Sequence, residues 1–127
     1  MKYLTAEQIL FIHARVVAET GGSHGVHDLG LLESAVARPQ ATFEGKDLYP
    51  DLFHKAAALM DSLVNNHPFL DGNKRTGASA AGLMLRINGW RLTAAADRLE
   101  AIALRTAIEG IPIDELAQWL RSNSIKA

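Results

Sequence analysis

Residues 51–88 read DLFHKAAALMDSLVNNHPFLDGNKRTGASAAGLMLRIN, two helix-forming segments around a short polar loop. In the first, Asp51 to Asn66, one row carries Leu52, Ala56, Leu59 and Leu63 and the next carries Phe53, Ala57, Met60 and Val64. That spacing gives an amphipathic helix with a wide apolar face, a main wall of any core. The second, Asn73 to Asn88, is apolar or small on every side between Gly77 and Leu85, the composition of a central helix surrounded by others. At ~1.5 Å per residue it crosses ~24 Å, about the width of a small domain, so its N-terminus is expected to surface at one side. Gly89 supplies its left-handed stop.

The flanking chain reads as more helices joined by short loops, without repeats, low-complexity tracts or linkers. Thr5 with Gln8 three residues on makes a capping box. Ile9, His13, Val16 and Thr20 fall on one side of the helix it opens, which Gly21 and Gly22 stop. Gly21 to His27 has too little apolar content to be buried. Asp28 caps a short helix with Leu31, Leu32, Ala35 and Val36, ending near Arg38 because Pro39 disfavours helical geometry at its predecessor. Gln40 to Pro50, of mixed polarity and containing Gly45, predicts an irregular or hairpin-like excursion. A helix from about Ala94 to Ile108 presents Leu99, Ile102, Ala103 and Thr106, and a last one presents Ile113, Leu116, Ala117 and Leu120. The expectation is all-α: about six helices in one domain over residues 1–127.

Composition narrows the chemistry. With no cysteine, thiol catalysis, disulfide frameworks and thiolate zinc sites drop out, leaving His, Asp, Glu and hydroxyls. A formal charge of −1 gives no global steering toward nucleic acid, so any phosphate recognition is local and no direct nucleic-acid binding is expected. The longest apolar run, Ala78 to Leu85 with Ser79 in it, is far short of the ~18 residues of a membrane span. Ile9 to Ile12 is too short for the core of a secretory signal, and a cytoplasmic location is expected.

The loop His67 to Thr76 packs an imidazole, a carboxylate, a glycine turn and two cations into ten residues. The first N–H groups of the helix beginning near Asn73 lack internal partners and sit at the positive end of its dipole, making Asp71 to Arg75 an anion cradle. Gly72 lets the backbone approach a ligand closely. Lys74 and Arg75 oppose that dipole, weakening the isolated helix by ~0.3–1 kcal/mol each, a penalty that a bound polyphosphate reverses. Asp71 suits such a neighbour only with a divalent cation between them, which points to a nucleotide with magnesium. His67, the one imidazole of the loop, is the candidate general base for a hydroxyl, since histidine is the side chain suited to proton transfer near neutral pH. Pro68 restricts the loop and Phe69 anchors it in the core. Spacing alone stops at a phosphate-binding enzyme loop.

HPFLDGNKRT resembles the signature loop of the Fic/Doc superfamily, whose Fic branch reads HPFxDGNGR, and most closely that of the death-on-curing (Doc) branch. HDLGLLESAVARPQ from His27 to Gln40 and RINGW from Arg86 to Trp90 are similar too, so the resemblance spans nearly the whole chain. It implies an all-helical fold with this loop joining two central helices. It further implies that His67 is the base for a Ser or Thr hydroxyl of a target protein, that Asp71 engages magnesium, and that Gly72, Asn73, Lys74 and Arg75 hold the phosphates of ATP. Fic adenylyltransferases have glycine where this chain has Lys74; Doc toxins share the lysine. The implied activity is therefore a kinase transferring the γ-phosphoryl group to EF-Tu, with adenylylation (AMPylation) and a non-catalytic, antitoxin-binding co-repressor as alternatives. A small Phd-like antitoxin with a disordered tail that folds onto the toxin is the implied partner.

Other polar residues read as structural. His24 and His27 are taken as surface histidines, with neither a metal site nor an HD-type phosphohydrolase pair supported around Asp28. His13 is expected in the core with a hydrogen bond, His54 exposed, and Trp90 and Trp119 packed near helix ends. Arg98 and Arg105 with Glu100 and Glu109 read as a solvated face.

Overall fold

The computed structural model describes residues 1–127. Six helices follow in order: α1 (Ala6–Thr20), α2 (Leu29–Ala37), α3 (Leu52–Asn65), α4 (Asn73–Ile87), α5 (Ala96–Glu109) and α6 (Ile113–Ser122). Short-range chemistry starts them. Thr5 and Gln8 form the reciprocal capping box of α1, and the Asp28 and Asp51 carboxylates accept from Leu31 N–H and His54 N–H to cap α2 and α3. Gly21 and Gly110, both in the left-handed region, end α1 and α5.

The centre is the helical hairpin α3–α4, with α2 and α6 packed on α3, α1 on α4, and α5 touching both. Of the two, α3 is the more enclosed: Leu52, Phe53, Ala56 to Met60, Leu63 and Val64 are all buried, and so is Lys55. The Lys55 ammonium is satisfied by the Pro39 carbonyl at 3.0 Å and Asp47 Oδ2 at 3.2 Å. The reading of α4 as surrounded on every side needs correction. Ser79 and Arg86 are exposed and Gly82 and Leu83 half-exposed, because this outer face, flanked by α1 and α5, is covered only in part, by residues 90–92, whose Leu92 lies against Gly82. Small residues are needed on the inner face instead. A Cβ on Gly77 would stand 2.8 Å from Val64 Cγ2 and 3.2 Å from the Met60 carbonyl, so this glycine sets how closely α4 lies on α3.

Further departures have local causes. Val17, not Thr20, completes the buried row of α1; the Thr20 hydroxyl turns back to the Val16 carbonyl at 2.8 Å and stays at the surface. After α2 the chain continues as a 3₁₀ turn, Arg38–Gln40, in which Pro39 needs no donor. The following excursion is a hairpin of β1 (Thr42–Phe43) and β2 (Lys46–Asp47), turned at Glu44 and Gly45, both with positive φ. A second small sheet, unforeseen, pairs β3 (Trp90–Leu92) with β4 (Ser124–Lys126) and ties the chain's end to the exit of α4. His54 is half-buried rather than exposed: its ring bridges Asp51 Oδ2 at 2.8 Å and Asp114 Oδ1 at 2.9 Å, joining the starts of α3 and α6.

Gly77→Ala is expected to destabilise the protein by ~1–3 kcal/mol through overpacking at the α3–α4 contact, read as a lower urea midpoint with unchanged m-value. A pH dependence follows from Asp51. Partial burial favours its neutral form, but the His54 backbone N–H and ring outweigh this and hold its carboxyl below the usual range. Its stabilisation is present above the unfolded value of ~3.9 and is lost as pH falls through the lower folded value. The stability difference between wild type and Asp51→Asn, followed by urea titration from pH 6 downward, should shrink below about pH 4.

Candidate functional site

Seven residues, Asn66 to Gly72, connect α3 to α4, and the connection is held from within. Phe69 is fully buried, its ring stacked on His13 of α1 with centroids 3.8 Å apart and planes 8° off parallel. Its backbone N–H donates to Asn73 Oδ1 and its carbonyl accepts from Asn73 Nδ2, both at 3.0 Å. The buried Asn73 amide is thereby spent on the loop, so towards an anion Asn73 offers its backbone N–H and not its side chain.

A strap from the α1–α2 connection closes the loop from outside. Val26 pairs with Phe69 as an isolated antiparallel bridge. The Pro68 carbonyl accepts from the N–H groups of His27 at 2.7 Å and Asp28 at 3.0 Å, and Leu70 N–H donates to the Gly25 carbonyl at 3.2 Å. Ser23 N–H donates to Asp71 Oδ2 at 2.9 Å. Held this way, His67 keeps a φ of +52°, a left-handed conformation that costs a non-glycine residue on the order of 1 kcal/mol. Its side chain is exposed and has no hydrogen-bond partner in the protein.

Gly72 occupies the N-cap of α4 at φ +79° with no side chain to cap the helix. The N–H groups of Asn73, Lys74 and Arg75 consequently find no protein acceptor. Asp71, Gly72, Asn73, Lys74 and Arg75 line one hollow of about 340 Å³, closed on the other side by Thr20, Gly21 and Gly22, with no apolar residue in its walls. The structure thus brings together five of the residues singled out from the sequence and leaves His67 outside that lining, at the opposite end of the loop. It adds Thr20 to Gly22, for which the consecutive glycines were the available signal. Lys74 and Arg75 also line a neighbouring, half-apolar hollow of about 370 Å³ between α4 and α5, with Ala78, Ala101, Ala103 and Leu104. There Arg75 Nη1 meets Glu100 Oε1 at 3.1 Å, both half-exposed. Glu100 therefore belongs to the site, not only to a solvated face.

The sequence of residues 3–85 matches the model of the Fic/DOC family. The chain belongs to that family. Over 102 residues it is 50% identical to Toxin Doc of Mycolicibacterium smegmatis, a match covering 79% of this chain and 78% of that protein. Over 121 residues it is 29% identical to Protein kinase doc of Escherichia phage P1, covering 95% and 94% of the two chains. The mostly helical fold with its loop between two central helices is the one the resemblance implied. No helix is long and apolar enough to cross a membrane.

An anion bound in the polar hollow would compete with Glu100 for Arg75. Glu100→Gln is expected to tighten binding of tripolyphosphate by up to ~5-fold, the equivalent of one exposed ion pair, measured by calorimetry at low salt.

Proposed function

We propose that this chain is a Doc-type toxin that transfers the γ-phosphoryl group of ATP to a Ser or Thr hydroxyl of a translation factor, EF-Tu, and so stops translation. The observation carrying the reading is the hollow at the start of α4: three backbone N–H groups without acceptors, two cations, one carboxylate and no apolar wall. A polyphosphate fits this donor set, being the ligand that turns Lys74 and Arg75 from a burden on the helix dipole into a gain. Asp71 Oδ1, which accepts no hydrogen bond in the protein, is the oxygen available to magnesium. Asp71 would hold magnesium there, which would supply charge neutralisation for the phosphates. Because Lys74 and Arg75 face both hollows, phosphates in the polar one leave the half-apolar one between α4 and α5 for the nucleoside.

His67 takes the proton of the attacking hydroxyl as its oxygen bonds to the γ-phosphorus and the bond to the departing ADP breaks. Its exposure and its lack of a competing partner leave the imidazole free for this role. The lysine at position 74 favours phosphoryl over adenylyl transfer: it fills the space that a glycine leaves for backbone to wrap a phosphate, and supplies a point charge instead. The name of the phage relative, Protein kinase doc, supports the same choice. The name Toxin Doc supports an antitoxin partner, which we take to be Phd-like, with a disordered tail that folds on the toxin.

Intact-mass analysis of EF-Tu after incubation with this protein, ATP and magnesium is expected to show one phosphoryl increment. An adenylyl increment assigns the Fic-type reaction, and no increment removes EF-Tu as target. His67→Ala should lose ~10²–10⁴ in rate without unfolding, and Lys74→Gly should slow phosphoryl transfer.

A further inference from the structure

One buried polar side chain engaged with the loop from outside it has no chemistry assigned to it. His13 lies in the middle of α1, 4% exposed, among Ile9, Val16 and Val17. Those three already bury the helix, so an aliphatic residue at position 13 would serve packing as well, without the cost of enclosing a polar ring. The imidazole instead makes two specific contacts. It stacks on Phe69, and its Nε2 stands 2.8 Å from the Asp71 carbonyl oxygen. A carbonyl only accepts, so Nε2 carries the hydrogen and donates it.

That carbonyl shares a rigid peptide plane with the Gly72 N–H, so the bond from His13 fixes ψ of Asp71 and φ of Gly72 together. Gly72, at φ +79°, would otherwise be the softest joint between the Asp71 carboxylate and the free N–H groups that open α4. Asp71 is then held at two points, its carbonyl by His13 and its Oδ2 by Ser23 N–H, with Oδ1 left without a protein partner. We propose that His13 is a positioning residue for Asp71, aiming the free carboxylate oxygen at a divalent cation carried by a polyphosphate in the hollow. This rests on the nucleotide reading above.

Two variants separate the bond from the ring. His13→Phe keeps a flat ring against Phe69 and loses the donor; His13→Gln keeps a donor near the place of Nε2 and loses the ring. Ile9→Val, a small loss in the same helix away from the loop, controls for stability. Calorimetric binding of Mn²⁺ with a non-hydrolysable ATP analogue is the first readout. His13→Phe is expected to weaken it by ~10-fold or more, as loss of an outer-shell partner does. His13→Gln should stay within ~3-fold of wild type, and Ile9→Val should be unchanged. The Mg²⁺ concentration for half-maximal phosphoryl transfer should move in parallel. Wild-type affinity in His13→Phe, or equal losses in Phe and Gln, overturns the proposal. Should wild type itself bind no Mn²⁺ with the analogue, the nucleotide reading fails. Hydrogen exchange then tests the positioning alone: Ser23 N–H, held by the Asp71 carboxylate, must exchange faster in His13→Phe than in Ile9→Val, and equal rates overturn it.

Discussion

The site depends on the immobilisation of Phe69. A loop of seven residues joining two long helices has enough freedom to take many shapes, and the ordering of each residue costs on the order of 1 kcal/mol. Here one buried aromatic ring, taken up between α1 and the hairpin α3–α4, offsets part of that cost, and the hydrogen bonds of Asn73 and the strap act beside it. The Asn73 amide answers both polar groups of the Phe69 backbone, so no unsatisfied donor or acceptor is buried with the ring. With Phe69 fixed, Asp71 and the opening of α4 lie on one side of it and His67 on the other, at separations the loop cannot change without emptying the core.

The same region runs against stability in its details. The N-cap of α4 is a glycine without a capping side chain, two cations stand in the first turn, and a histidine occupies the left-handed region. The glycine cap costs roughly a few tenths of a kcal/mol, each cation ~0.3–1 kcal/mol and the left-handed histidine on the order of 1 kcal/mol, and standard helix chemistry would replace the first two. α1, α2 and α3 show that replacement in practice, opening on Thr5, Asp28 and Asp51 with side-chain caps in place. α5 and α6 also open without a side-chain cap, on Ala95 and Pro112, but carry Asp97 and Asp114 with Glu115 in their first turns, so α4 alone has neither a cap nor an acid there, which marks it as shaped by binding more than by folding. Glu100 partly offsets the imbalance by pairing with Arg75, which leaves Lys74 as the cation of the first turn without an ion-pair partner.

Features set by near neighbours in sequence were legible: the helix starts, the glycine stops, the wide apolar face of α3, and the grouping of Asp71 to Arg75 around one hollow. What escaped was non-local. The β3–β4 pair joins three-residue segments more than 30 positions apart, too short to show alternation. Lys55 reads as a polar helix residue until the Pro39 carbonyl and Asp47 are seen to meet it. Asn73 and Glu100 were assigned by what they could offer a ligand or solvent, while their partners, Phe69 and Arg75, follow from tertiary packing. His13 was placed in the core correctly, but its acceptor lies 58 residues away, and only the docking of α1 on the loop discloses it.

The strap Gly21–Asp28 explains how His67 stays exposed and strained at once. A left-handed histidine on a free loop would relax, since ordinary backbone conformations are available to it at lower energy. Relaxation is blocked one residue on. The Pro68 carbonyl is held by two N–H groups of the strap, and Pro68 itself is buried with its φ set by the ring. To change its backbone, His67 would have to break those two bonds or lift Phe69, and either costs more than the strain released. The strap therefore does more than cover the loop. It transfers the rigidity of the core through Pro68 to the base of an exposed imidazole that has no hydrogen bond of its own, while Ser23, on the same strap, holds the Asp71 carboxylate. One short segment thus fixes both ends of the loop against each other.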